Sequence, residues 1–210
     1  MEKININKVT LSYETIGEGS DVLLLHGFPS NMFMWDKIKN DLVSNGYRVT
    51  IVEQRGYPLS RLDNSEISKF NITELSKDIE DLVKTLKLDQ NLTIVGHDWG
   101  SIVGWAILSR ENIMIEKLIS ICGGTEFPTS NVYSDLSYHG KPHYISSFQD
   151  VKKSSIIIDN NLESFFRSSY RLNNQNSINP DLSLENVFIK NKVNESIFQD
   201  SDVSHLVKHF

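Results

Sequence analysis

The sequence predicts an α/β fold, a mostly parallel sheet with helices on both faces. Three observations carry the prediction. Short apolar runs at 22–25 and 92–96 have the pattern of strands buried on both faces. Amphipathic stretches of helical period separate such runs. The alternation of the two repeats as far as Gly124, as in sheets whose crossover helices cover both sides.

Taken in order, residues 3–9 and 10–15 alternate apolar and polar side chains, as half-buried strands do. Gly17-Glu18-Gly19 turns the chain into the 22–25 strand. Residues 34–44 read as a helix with Trp35, Ile38, Leu42 and Val43 inward, closed by Asn45-Gly46. A strand follows over 47–53. The stretch 73–86 lines up Leu75, Ile79, Leu82, Val83 and Leu86 on one helical face, with Asn71 or Thr73 as its cap. Strand 92–96, an apolar helix over 101–109 and strand 117–121 complete this zone. Beyond Gly123-Gly124 the chain turns rich in Ser, Asn, aromatics and short polar breaks, so a boundary is placed there.

With 210 residues, the chain is one substantial domain or one with a small appendage. That length buries roughly 70% of the unfolded surface, enough for a real core. Aromatic content and apolar runs such as 156–158 exclude general disorder. Cys122 is the one cysteine, which excludes a disulfide scaffold and fits a reducing compartment. A net charge of −6 argues against nucleic acid as a partner, because phosphate neutralisation needs a basic face. No apolar stretch approaches the ~20 residues that span a bilayer, and the N-terminus lacks a signal-peptide pattern. A soluble, cytoplasmic protein without a membrane span is expected.

In sheets of this kind ligands sit at the carboxyl ends of the strands. The segments there are His26-Gly27-Phe28-Pro29, Glu53-Gln54-Arg55-Gly56 and Gly96-His97-Asp98-Trp99-Gly100. The last has the spacing G-x-D-x-G, a nucleophile elbow with Asp where serine hydrolases place Ser. The glycines leave room for a tight strand-to-helix turn that projects the central side chain above the sheet. The helix N-terminus behind it supplies N–H groups and a positive field. An Asp there is expected to stay ionised and to act as a covalent nucleophile. Alone, such a motif reads as a helix N-cap; the other strand-end motifs shift the reading to a site. No His, Cys and carboxylate set has metal-ligand spacing and no Gly-rich phosphate loop occurs, so no metal and no cofactor are expected.

These motifs, with Trp35, Arg55-Gly56-Tyr57-Pro58-Leu59-Ser60 and Tyr144-Ile145-Ser146-Ser147-Phe148-Gln149, resemble the epoxide hydrolase family of the α/β-hydrolase superfamily. The resemblance runs over essentially the whole chain. It implies an α/β-hydrolase core over 1–124 and a mainly helical cap or lid over 125–210. It implies that Asp98 attacks an epoxide carbon to form an alkyl ester, with Tyr144 donating a hydrogen bond to the epoxide oxygen. The backbone N–H groups of Phe28 and Trp99 would form the oxyanion hole. Phe28, Trp35 and Trp99 would line the pocket, while His26, Pro29 and His97 would be structural supports. Trp105 is assigned to the core. Tyr133, Tyr138 and Tyr170 are weaker candidates for the Tyr144 role. The implied partners are a small hydrophobic epoxide and water. Glu53 and Pro58 depart from the family's usual Asp and Gly and read as turn variations.

Hydrolysis of the ester further requires a His that activates water and a carboxylate that orients it. In this superfamily both follow later strands. No strand–helix alternation returns after Gly124. Asp200 or Asp202 with His205 or His209 have the right order, but they share a short amphipathic stretch with Val203, Leu206 and Val207 and read as surface or packing residues. The expectation is a partial chain that lacks the last strands and helices of the sheet domain, leaving an open sheet edge. Two rival readings are a haloalkane dehalogenase, disfavoured by Phe28 and Tyr144, and a catalytically incomplete binding or regulatory form.

Overall fold

Six strands are built from the apolar runs. The computed structural model describes residues 1–62, 66–88, 91–123, 137–138, 141–142, 144–170, 183–189 and 200–209. Strands β1 (Glu2–Ile6), β2 (Val9–Ile16), β3 (Ser20–Leu25), β4 (Tyr47–Val52), β5 (Thr93–His97) and β6 (Lys117–Ile121) form one sheet in the order β1-β2-β4-β3-β5-β6. The four strands β4, β3, β5 and β6 run parallel, and β1 and β2 add an antiparallel margin. The β1–β2 turn falls at Asn7 and Lys8, both at positive φ, so β1 ends before Val9.

Two layers of apolar side chains follow from the pleat. Leu23, Leu25, Val52 and Ile94 face α2 (Ile72–Leu86) and α3 (Trp99–Arg110), joining Ile79, Leu82, Val103 and Ile107. Val22, Leu24, Val49, Ile51 and Val95 face the other way, toward Met32, Trp35, Leu42 and Val43. Helix α2 is capped by Asn71, whose side chain accepts the Glu74 N–H, and ends at Lys87 in the left-handed region.

The helix expected from residue 34 begins differently. Met32–Trp35 form a 3₁₀ turn, and α1 runs from Asp36 to Ser44. Trp35 is buried, but Ile38 is exposed, against expectation. A 3₁₀ turn advances three residues per turn, so the phase counted from Trp35 at 3.6 does not carry into α1.

The chain divides into two units, Met1–Thr125 and Glu126–Phe210. The second contains a small hairpin of β7 (Ser137–Tyr138) and β8 (Lys141–Pro142). Its helices are α4 (Tyr144–Phe148), α5 (Val151–Asp159), α6 (Leu162–Ser169) and α7 (Asp200–His209). Glu185–Ile189 form a π-helical turn. Phe166, Val203 and Leu206 make its buried cluster, with Leu162, Tyr170 and Val207 against them. Among the described residues no helix is long and apolar enough to cross a membrane.

Candidate active site

The elbow forms where β5 hands over to α3. Asp98 lies between them at φ 51° and ψ −116°. A left-handed φ at a non-glycine residue costs of order 1–3 kcal/mol and persists only where the surroundings enforce it. Here the Asp98 N–H donates to Ile121 O at 2.9 Å, and its carbonyl accepts from Ser101 N–H at 3.0 Å and Ile102 N–H at 3.2 Å. Glycine is required on both sides. A Cβ on Gly96 would strike the Gly100 backbone, and one on Gly100 would strike the Leu25 carbonyl.

Asp98 occupies the N-cap position of α3 without making a capping hydrogen bond. Its Oδ1 instead accepts the Phe28 N–H at 2.8 Å. The loop after β3 is therefore drawn against the elbow. A Cβ on Gly27 would lie 2.5 Å from Asp98 Cβ and 2.6 Å from its Oδ1. Burial pushes the Asp98 pKa up, while the Phe28 and Trp99 N–H groups and His97 pull it down; the net direction is upward. The expectation of a fully ionised carboxyl is thus opposed by desolvation, the largest of these effects.

The loop that presents Phe28 is braced by Gly27 O. It accepts from Ser30 Oγ at 2.9 Å and Tyr57 Oη at 3.3 Å, and His26 Nδ1 lies at 3.2 Å. His26 is fully buried, its Nε2 accepts the Gln54 N–H at 3.0 Å, and its ring meets Tyr57 edge-on at 4.4 Å. The second contact assigns the ring proton to Nδ1. Burial lowers its pKa to about 4, which keeps it neutral near pH 7. Pro29 follows Phe28 through a cis peptide bond. Arg55 is locked by Asp78, with Nε–Oδ2 at 2.5 Å and Nη2–Oδ1 at 2.6 Å, which pins the strand-β4 loop to α2.

Of the proposed pocket residues, Phe28 is half-buried, Trp35 is buried in the α1-side core, and the Trp99 ring is 44% exposed. Trp105 is partly buried and donates from Nε1 to Ser120 Oγ at 3.2 Å. Ser101 carries a role that the sequence reading missed. Its Oγ reaches Gly96 O at 2.5 Å and Ile121 O at 3.0 Å and accepts the Ile121 N–H at 3.1 Å, tying elbow to β6. Its position after the elbow was the available signal.

In the second unit, Tyr144 opens α4, half-buried, with edge-on contacts to Phe188 at 5.3 Å and Phe148 at 5.9 Å. Tyr170 packs on the α6–α7 cluster. Tyr133 and the Tyr138 side chain lie outside the described residues, as do the His205 and His209 side chains. Asp200 is exposed and pairs with Arg167 at 2.7 Å, while Val203, Leu206 and Val207 face the helical cluster. Among the described residues no group of three His, Cys, Asp or Glu could hold a metal ion.

Residues 22–197 match the family model described as alpha/beta hydrolase fold. The AB hydrolase superfamily protein YfhM of Bacillus subtilis is 40% identical over 121 residues, 56% of this chain and 41% of that protein. Epoxide hydrolase 1 of Caenorhabditis elegans is 31% identical over 154 residues, 71% of this chain and 37% of that protein. Among solved structures, an epoxide hydrolase from Vigna radiata superposes with a TM-score of 0.79 at 27% identity, covering 100% of this chain and 66% of that one. The chain thus spans about two-fifths of these curated relatives' length and about two-thirds of that structure. With the elbow, the braced loop and the strand order in place, the chain belongs to the alpha/beta hydrolase fold family.

Proposed function

We propose that this chain carries the nucleophile half of an epoxide-opening hydrolase, with Asp98 as the covalent nucleophile. The observation that supports this most is the Asp98 carboxylate held at the strand-to-helix turn, uncapped, with its Oδ1 on the Phe28 N–H. One carboxylate oxygen attacks the less hindered epoxide carbon. The C–O bond of the ring breaks, its electron pair goes to the ring oxygen, and an alkyl ester of Asp98 results. The Tyr144 hydroxyl is assigned as the hydrogen-bond donor to that oxygen. A phenol suits the task, being a neutral donor at pH 7 with an ordinary pKa of about 10. The Phe28 and Trp99 N–H groups would hold the carbonyl oxygen of the ester and the oxyanion formed when water attacks it.

His26 is assigned to bracing: it is neutral, fully buried and engaged at both ring nitrogens. His97 is assigned to support beside the nucleophile, and Pro29 to the loop. We further propose that the 210-residue polypeptide by itself stops at the ester. A small apolar epoxide is the proposed substrate class, with Phe28, Trp35 and Trp99 as pocket residues.

Single-turnover reaction with a terminal epoxide and, in parallel, with a primary alkyl chloride tests the substrate class. Ester formation from the epoxide alone is expected, slowed about 10²-fold or more by Tyr144→Phe. Reaction with the chloride alone, indifferent to Tyr144→Phe, would replace this reading with dehalogenation.

A further inference from the structure

One peptide group joins the loop after β3 to the nucleophile. Its N–H, from Phe28, donates to Asp98 Oδ1 at 2.8 Å. Its C=O is that of Gly27, and in a trans peptide the two point in opposite directions. The Gly27 oxygen meets three donors: Ser30 Oγ at 2.9 Å, His26 Nδ1 at 3.2 Å and Tyr57 Oη at 3.3 Å. A carbonyl oxygen has two lone pairs, so three donors saturate it. Each bond to the oxygen draws electron density along the peptide and leaves the N–H a stronger donor. In chains of this kind the strengthening is roughly 10–30% per bond.

The two hydroxyls differ in weight. Ser30 is 2% exposed, and its distance falls inside the range of roughly 2.5–3.0 Å usual for O–H···O bonds. Met34 Sδ lies 3.1 Å from the same hydroxyl, but a thioether is the weaker acceptor, so the proton goes to Gly27 O. Tyr57 Oη lies beyond that range and contributes less. Its ring is nonetheless firmly placed. It stands edge-on to the His26 ring at 4.4 Å. The Tyr57 N–H donates to Gln54 O at 3.3 Å, and the Tyr57 carbonyl accepts the Ser60 N–H at 2.9 Å. Beside it, Gly56 has φ +90°, and a Cβ there would strike the Phe70 ring. Tyr57 thus carries the loop after β4 onto the peptide that faces Asp98.

We propose that Ser30 and Tyr57 are positioning residues for the nucleophile: their hydroxyls on Gly27 O orient and polarise the Gly27–Phe28 peptide and so set the strength of the Phe28 N–H bond to Asp98. Ser30 carries the larger share. The proposal rests on the reading of Asp98 as the nucleophile.

Nuclear magnetic resonance of the full chain, without substrate, tests it. The Phe28 amide and the Gly27 carbonyl carbon appear in one correlation, because they belong to one peptide. Ser30→Ala is expected to move both resonances upfield, the direction of weaker hydrogen bonding. Since the Phe28 N–H favours the charged form of Asp98, its weakening is expected to raise the pH at which the Asp98 carboxyl titrates. The Trp99 N–H and His97 act on the same carboxyl and are unchanged by the substitution. Tyr57→Phe is expected to produce the same three changes, each smaller, and keeps the test available should Ser30→Ala fail to fold. A Phe28 amide proton or an Asp98 titration that neither variant moves would overturn the proposal. No epoxide enters this measurement, so its failure is distinct from a failure of the substrate reading, which single-turnover reaction reports.

Discussion

At the scale of single residues, the account turns on a carboxylate held in strained backbone and partly cut off from water. Burial raises the Asp98 pKa, so the folded state holds its proton more tightly than the unfolded chain does. The charged site therefore costs stability above the unfolded pKa and costs nothing well below it. Asp98→Asn is expected to raise the thermal midpoint at pH 7 and to leave it unchanged near about pH 3, while abolishing ester formation. Since attack needs the carboxylate, the acid limb of the ester-forming rate is expected above the ordinary 3.8 of an Asp. His26 works in the opposite sense. Its folded pKa of about 4 lies below the ordinary 6.5 of a histidine, so the stability it contributes is present above pH 6.5 and is lost as pH falls toward 4. Equilibrium unfolding between those limits is expected to lose on the order of 3 kcal/mol, a slope that His26→Gln removes.

At the scale of elements, the site is two turns pressed together, the loop after β3 and the elbow after β5. Gly27 sets how closely they approach. Gly27→Ala is expected to push the Phe28 N–H off the carboxylate and to slow ester formation by about 10²-fold, with circular dichroism unchanged; an unaltered rate would separate the loop from the chemistry. Much of this was legible in the sequence. The strands announced themselves as short apolar runs, and the elbow as two glycines around an acid at a strand end. Other features were not legible because they depend on distant partners. Ser101 looks like an ordinary helix residue until β6 lies beside it. Ile38 looks inward until the Met32–Trp35 turn resets the helical phase. Glu53 looks like a turn variation until its buried carboxylate accepts the Leu59 N–H across the loop after β4.

At the scale of the whole chain, β6 pairs with β5 on one side, and among the described residues no strand pairs with its other side. Ile119 and Ile121 are exposed on it, at 49% and 39%. A strand edge that no described strand pairs, flanked by exposed apolar side chains, is a template for association. The 210-residue chain is expected to self-associate with rising concentration, and Ile119→Lys to lower its sedimentation mass toward the monomer's 24.0 kDa. A wild-type chain that sediments as a monomer throughout would contradict this.

The most direct measurement is the mass of the 210-residue chain after incubation with a terminal epoxide, followed by peptide mapping. The account predicts one added epoxide mass, persistent, carried by the peptide containing Asp98 and absent from Asp98→Asn. No adduct, an adduct on another residue, or steady release of diol by this chain would contradict it.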